Sequence, residues 1–169
     1  TLRTMEFLME KEFICPDFVI NAVGKTGRPN IDWCESHPRE TIHSNVFVPA
    51  WMAQVCETFK IPFIHIGSGC IYEGDKHYRE TDASNYHGSL YSRTKIMAED
   101  YLKAYKNAIV LRIRMPMDTI SNERNLINKL VGYPKVIDSI PNSVTFLSTL
   151  AQAIEFLAGN KLLGIEALA

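Results

Sequence analysis

The chain has 169 residues, 46% hydrophobic and 22% charged, with a net charge of −1 from 18 basic and 19 acidic side chains. That is the composition of one globular domain with a real core. No basic excess exists to neutralise phosphates, and the longest apolar runs fall far short of the roughly 20 residues of a membrane span, so neither nucleic acid nor a membrane is an expected partner. No charged-then-apolar leader opens the chain, so no signal peptide is expected. Cys15, Cys34, Cys56 and Cys70 are scattered without a CxxC pair. This argues against structural zinc and for free thiols in a cytoplasmic protein.

In chain order, 17–23 (DFVINAV), 62–66 (PFIHI) and 108–113 (AIVLRI) are brief, β-branched and closed by Gly, Pro or charge. Such runs read as strands buried on both faces of a parallel sheet. Between the first two, Val48, Trp51, Met52, Val55 and Phe59 recur at helical spacing from Ser44 to Lys60, with Pro49 tolerable near the first turn. A second stripe, Met97, Ala98, Tyr101, Leu102 and Tyr105, marks a helix from Leu90 to Tyr105. Further helices are expected over 123–131 and 146–158, with a loop and a short strand over 132–142. Alternating strand and helix predicts an α/β fold with a parallel sheet and right-handed crossovers. The nine glycines form neither GxxGxxG nor GxGxxG. The GxxG of Gly24–Gly27 has Asn30 where a third glycine would stand, so it is a weak phosphate-loop signal.

Tyr91 and Lys95, at i and i+4, share one helical face. An ammonium beside a phenol favours phenolate, and the pair can move a proton at a carbonyl or alcohol oxygen; a core tyrosine with a solvated lysine is the plainer reading. The second strand runs into Gly67-Ser68-Gly69-Cys70. The C-terminal edge of a parallel sheet is where ligands bind. Ser68 there is either a turn residue or a second hydrogen bond to the oxygen that Tyr91 protonates. Ser68 and Cys70, two apart on extended chain, can face one pocket, where a thiol is a suitable acid–base group beside a ketone; a buried cysteine as packing is the alternative. His65, inside an apolar strand, reads as a satisfied core residue, and Trp33 and Trp51 read as packing. Glu80 and Asp82 precede the tyrosine helix and are explained by a solvated loop.

Ser68, Tyr91 and Lys95 in this order resemble the extended short-chain dehydrogenases/reductases acting on nucleotide sugars, over about 16–164. Longer strings, Gly27–Glu35 (GRPNIDWCE), Gly88–Lys95 (GSLYSRTK), Arg112–Pro116 (RIRMP) and Ile140–Ser143 (IPNS), resemble the 3,5-epimerase/4-reductase branch of rhamnose-nucleotide synthesis. The resemblance implies a Rossmann-type parallel sheet with flanking helices. Over 1–169 it implies the second half of an NAD(P)-binding domain that lacks the glycine-rich βαβ unit, with a small substrate-binding region at about 119–145. The chain is accordingly expected to be a fragment of a longer polypeptide; a reduced relative that cannot bind cofactor in the usual way is the other reading.

The resemblance implies NADPH, or NADH, as cofactor and a nucleotide-sugar 4-ketone as substrate. By it, Ser68, Tyr91, Lys95, Cys70 and Lys129 are catalytic. Asn21, Ala22, Val23, Gly24, Lys25, Asn45, Met115 and Pro116 hold the cofactor, together with Tyr91 and Lys95. Arg28, Ser89 and Asn125 join Ser68 and Cys70 on the substrate. Lys129 as a solvated helix lysine is the competing reading. No metal is implied. Dimerisation through the helices bearing Tyr91 and Val48 would be family-like. A non-catalytic binding subunit, or another nucleotide-sugar epimerase or dehydratase, are the rival functions; Gly69-Cys70 stands where the dehydratases carry an acidic pair.

Overall fold

A computed structural model of the protein describes residues 16–122, 125–134 and 141–159. The three expected runs form a parallel sheet in the order β1 (Val19–Asn21), β2 (Phe63–Ser68), β3 (Ala108–Ile113). β2 is central: Val19 stands opposite Phe63, and Phe63 through Ser68 pair in register with Ala108 through Ile113. β1 is shorter than its apolar run because the Asn21 side chain accepts a hydrogen bond from Val23 N at 2.9 Å, which bends the chain out of the strand. β2 runs two residues further than expected, to Ser68, because pairing with β3 continues to Ile113.

Between β1 and β2 lie α1 (Trp33–Ser36), α2 (Pro38–Ile42), a π-helical turn (His43–Phe47) and α3 (Val48–Thr58). The helical rod thus starts six residues before Ser44, with Pro38 in its first turn. The π-turn has a local cause. Pro49 has no N–H, and its ring crowds the carbonyl four residues back. The wider turn, with Val48 N bonded to His43 O, accommodates it. Helix α4 (Leu90–Leu102) returns the chain to β3. A small parallel pair follows, β4 (Pro116–Met117) and β5 (Thr145–Phe146), with α5 (Leu126–Val131) and α6 (Leu147–Gly159). The strand expected within 132–142 falls largely outside the described residues; the described pairing is at 145–146. No helix among the described residues is long and apolar enough to cross a membrane.

Both faces of the sheet are covered. On one, Ala53 and Cys56 of α3 and Leu102 of α4 pack on Phe63 and Val110. On the other, Leu157 of α6 packs on Ile64, Ile109 and Leu111. Each large side chain sealed there is worth about 1.5–3 kcal/mol. Among the described residues, Cys34, Cys56 and Cys70 are not joined in disulfides. Trp33 packs, stacked on His37 at 3.8 Å. Trp51 does not: it is 43% exposed.

His65 is buried but not fully satisfied, contrary to the sequence reading. Asn21 Nδ2 lies 3.1 Å from His65 Nδ1, and the Val23 bond fixes which end of the amide is nitrogen. Nδ1 is therefore the acceptor and Nε2 carries the proton, with no partner. Burial, reinforced by the charge of Lys95, lowers the imidazole to about 3. A folded-state value below the unfolded one means that the unfolded chain binds the extra proton, so stability drains away as pH falls from about 6.5 toward 3. Urea titrations at pH 7 and pH 5 should therefore show the wild type losing about 2 kcal/mol more than His65→Gln. Equal losses would mean that the imidazole is charged in the fold.

Candidate active site

Residue chemistry converges where β2 ends. Ser68 is buried at the last position of the strand, and its Oγ accepts a hydrogen bond from Cys70 N at 3.1 Å. Gly67 is required one residue earlier: a Cβ there would meet Val110 Cγ1 at 2.6 Å. Above this edge sits the first turn of α4, secured by two caps. Ser89 Oγ accepts from Ser92 N at 3.1 Å, and the Glu35 carboxylate accepts from Leu90 N while pairing with Arg93 at 3.7 Å. These caps present Tyr91 and, one turn on, Lys95 to the sheet.

Tyr91 is 7% exposed, with its phenol near enough to Ser68 for that hydroxyl to act on its pKa. Burial pushes its phenol up to about 12, against a lowering by Ser68. The expected lowering by Lys95 is not what the structure shows; desolvation dominates, and Tyr91 is a protonated phenol at neutral pH. Lys95 responds to the same burial in the opposite direction, falling to about 8. Its Nζ donates to Ile66 O at 3.3 Å. The Cys70 thiol is close enough for its charge to act on both Tyr91 and Lys95. Ser92 Oγ fixes the Cys70 backbone by donating to its carbonyl at 2.6 Å. Ser68, Cys70, Tyr91 and Lys95 thus share one locus, a hydroxyl, a thiol, a phenol and an amine at the C-terminal edge of the sheet.

Beside it, Ala22, Val23 and Gly24 leave β1 as exposed backbone. A Cβ on Gly24 would come within 3.4 Å of both Lys95 Nζ and Asn45 Oδ1, so glycine keeps the approach to the amine open. Asn45, fully buried in the π-turn, holds this loop: its Oδ1 accepts from Lys25 N at 2.7 Å, and its Nδ2 donates to Lys25 O and to Thr94 Oγ1, each at 3.1 Å. The Lys25 side chain turns away, pairing with Glu40 at 3.5 Å and lying over the Trp33 ring.

Of the other residues singled out by resemblance, Asn21, Ser89 and Asn125 have their side chains committed to local structure. Asn21 closes the turn after β1, and Ser89 caps α4. Asn125 caps α5 by accepting from Ile127 N, and donates to Asp118 O and Ile120 O. Arg28 is exposed in the loop before α1. Met115, at φ +42°, and Pro116 lead from β3 into β4. Lys129 is exposed on α5, and no described contact brings it to Cys70. Asp82 is held by Lys76 and Arg79 N, and Glu80 lends its carbonyl to Arg112, so this loop is more tightly tied than a solvated one. Sequence reasoning gave the side chains of Ser92, Thr94 and Arg114 no role of their own. The first two were visible as hydroxyls flanking Arg93 in the tyrosine helix. Arg114, which bonds Asn142 Oδ1 at 2.9 Å and Gly69 O at 3.4 Å, stood in the RIRMP string, but its tie to the end of β2 carried no local signal.

Residues 4–120 match the model of the NAD dependent epimerase/dehydratase family. The chain is 43% identical over 163 residues to a bifunctional dTDP-4-dehydrorhamnose 3,5-epimerase/dTDP-4-dehydrorhamnose reductase of Arabidopsis thaliana, covering 91% of this chain and 54% of that protein. It is 42% identical over 167 residues to a trifunctional UDP-glucose 4,6-dehydratase/UDP-4-keto-6-deoxy-D-glucose 3,5-epimerase/UDP-4-keto-L-rhamnose-reductase of the same plant, covering 94% of this chain and 25% of the other. It therefore spans about half the length of the first relative and a quarter of the second. Among solved structures, the L780 UDP-rhamnose synthase of Acanthamoeba polyphaga mimivirus superposes with a TM-score of 0.84 at 30% identity, over 96% of this chain and 58% of that one. With a matching family model over most of its length and the serine, tyrosine and lysine gathered at one sheet edge, the chain belongs to the NAD dependent epimerase/dehydratase family.

Proposed function

We propose that the protein takes part in the NADPH-dependent reduction, preceded by 3,5-epimerisation, of a nucleoside-diphosphate 4-keto-6-deoxyhexose to the rhamnose nucleotide, with NADH as the alternative reductant. The observation that carries this is the convergence of Ser68, Cys70, Tyr91 and Lys95 at the end of β2. The names of the similar plant and viral proteins support it. Residues 22–24 and Lys95 fit a nicotinamide cofactor, because Gly24 leaves uncovered an approach to the Lys95 amine that a side chain would crowd. Bound there, the cofactor would supply hydride. The region 119–145 is proposed as the substrate side, and the cytoplasm as the location.

Under this reading a ketone oxygen sits between the Ser68 hydroxyl and the Tyr91 phenol. Donors aimed at an oxygen that gains negative charge are the largest contribution in such chemistry. The ketone acidifies the hydrogens on its neighbouring carbons; the Cys70 thiolate removes one as a proton, and the charge passes to the oxygen held by Ser68 and Tyr91. Lys129 is proposed, on resemblance alone, as the group that acts on the opposite sugar face. In reduction, Tyr91 gives its proton to the oxygen as C4 becomes a carbinol. Its high pKa suits a donor that stays protonated until the oxygen becomes basic. Lys95 steadies the resulting phenolate.

The reading includes a homodimer. Phe47 and Trp51 on one helical rod, and Met97 and Tyr101 on the neighbouring α4, are 43–62% exposed. Each pair is spaced i, i+4, so each helix offers an apolar stripe outward while its other side packs on the sheet. A second copy presenting the same two stripes would cover them.

Incubated with NADPH and either UDP- or dTDP-4-keto-6-deoxyglucose, the complete polypeptide should oxidise NADPH; silence with both sugars sinks the substrate assignment. Cys70→Ser should depress exchange of the C3 and C5 hydrogens with solvent deuterium by about 100- to 10,000-fold. It should spare reduction of a sugar already epimerised. Tyr91→Phe should act more severely on that reduction. Wild-type deuterium exchange in Cys70→Ser would show that the thiol only fills space. In sedimentation, Trp51→Glu/Met97→Glu should convert a dimer into a folded monomer, and a monomeric wild type at tens of micromolar would end the dimer proposal.

A further inference from the structure

Arg112 is a charged residue next to the last position of a buried strand, and it lies on the sheet face that packs against α4. Its side chain is 4% exposed and that of Glu99, on α4, is 7% exposed. Arg112 Nε donates to Glu99 Oε2 at 2.9 Å, and Nη2 donates to Oε1. A buried ion pair commonly adds no net stability over well-packed apolar side chains of the same volume, so geometry is the place to look for its use. Glu99 stands two turns beyond Tyr91 and one beyond Lys95 on the buried face of α4. A bidentate fork between two rigid groups therefore fixes both the rotation of α4 and its height along the sheet. The remaining nitrogen reaches a third segment. Nη1 donates to Tyr72 Oη at 2.8 Å and to the Glu80 carbonyl at 3.0 Å. The Tyr72 hydroxyl passes the connection on to Asp82 O at 2.8 Å, and its ring stacks on Tyr78 at 4.3 Å. One planar cation thus ties β3, the helix of Tyr91 and Lys95, and the loop that begins at Cys70.

We propose that Arg112 is a positioning residue shared by both half-reactions: its Glu99 fork sets Tyr91 and Lys95 against the edge of the sheet, and its Tyr72 prong holds the loop that presents the Cys70 thiol. The proposal rests on the functional reading above for the two half-reactions, but its geometry can be read without them. Displacements of about 1 Å in a reacting group cost on the order of 100-fold in rate, which is the leverage available to a residue that touches neither substrate nor cofactor.

Two variants separate the prongs. Tyr72→Phe deletes one hydroxyl and leaves the ion pair whole. Glu99→Leu/Arg112→Met replaces both charges with apolar side chains of similar size. Three quantities are measured: alkylation of Cys70 by iodoacetamide, resolved on its own peptide; C3 and C5 deuterium incorporation; and NADPH oxidation with an already epimerised 4-keto sugar. In Tyr72→Phe, alkylation should quicken and deuterium incorporation fall by about tenfold or more through kcat with KM held, while reduction stays within about twofold. In the double variant, thermal stability should match or exceed wild type, alkylation should quicken, and both reactions should fall. A folded double variant with both reactions intact overturns the proposal. So do a Cys70 alkylation rate and a deuterium incorporation in Tyr72→Phe that match wild type, which decides the matter even where the double variant fails to fold. A wild type that performs neither reaction refutes the functional reading instead, and equal alkylation rates in all three proteins would then refute this one separately.

Discussion

A helix that buries Tyr91, Ser92, Thr94, Lys95 and Glu99 against a sheet must find a partner for every polar atom it takes out of water. That constraint organises the molecule around α4. Tyr91 lies beside Ser68, Ser92 takes the Cys70 carbonyl, Thr94 accepts from Asn45, Lys95 takes the Ile66 carbonyl, and Glu99 grips Arg112. The partners come from β2, the π-turn and β3, so satisfying one helix sets the relative positions of three other segments. An apolar α4 would pack as tightly but would leave those segments free to slide.

The same burial sets the site's protonation. Desolvation disfavours charge of either sign: it raises the Tyr91 phenol and lowers the Lys95 amine and the His65 imidazole. Lys95 lies within electrostatic reach of His65, so a proton on one is a further penalty on the other, and the imidazole, farther from solvent and with one unpartnered nitrogen, is the group left neutral. The site therefore holds a neutral donor and a weakened cation, an arrangement suited to an oxygen whose charge changes during reaction.

The sheet and its helices were legible because their signals are local and repetitive: β-branched runs closed by Gly or Pro, and stripes at helical spacing. Tyr91, Lys95 and Ser68 were legible because a helix places i and i+4 together and a parallel sheet exposes its C-terminal edge. What failed to show were properties set by distance across the fold. Nothing near Tyr91 in sequence says whether the lysine's charge or desolvation will dominate its pKa. The pairing of Arg112 with Glu99, thirteen residues away, depends on the length of the turn between α4 and β3. Asparagine and serine were ambiguous for another reason: the groups that would bind a ligand are also the groups that cap helices and close turns. Ser89, Asn21 and Asn125 do the latter.

Pro49 shows how such a local exception reaches the site. A proline inside a helical rod forces a wider turn, and Asn45 lies in that turn, fully buried. Its amide holds the Lys25 backbone at both N–H and carbonyl, as a neighbouring strand would. The chain leaving β1 has no ladder there, so this one side chain replaces it, and the replacement leaves the backbone of Ala22 to Gly24 exposed beside the Lys95 amine. A continued strand would have spent those backbone groups on its own pairing. The open edge next to Lys95 thus rests on the proline-widened turn, through one asparagine, as much as on Asn21 and Gly24 of the loop itself.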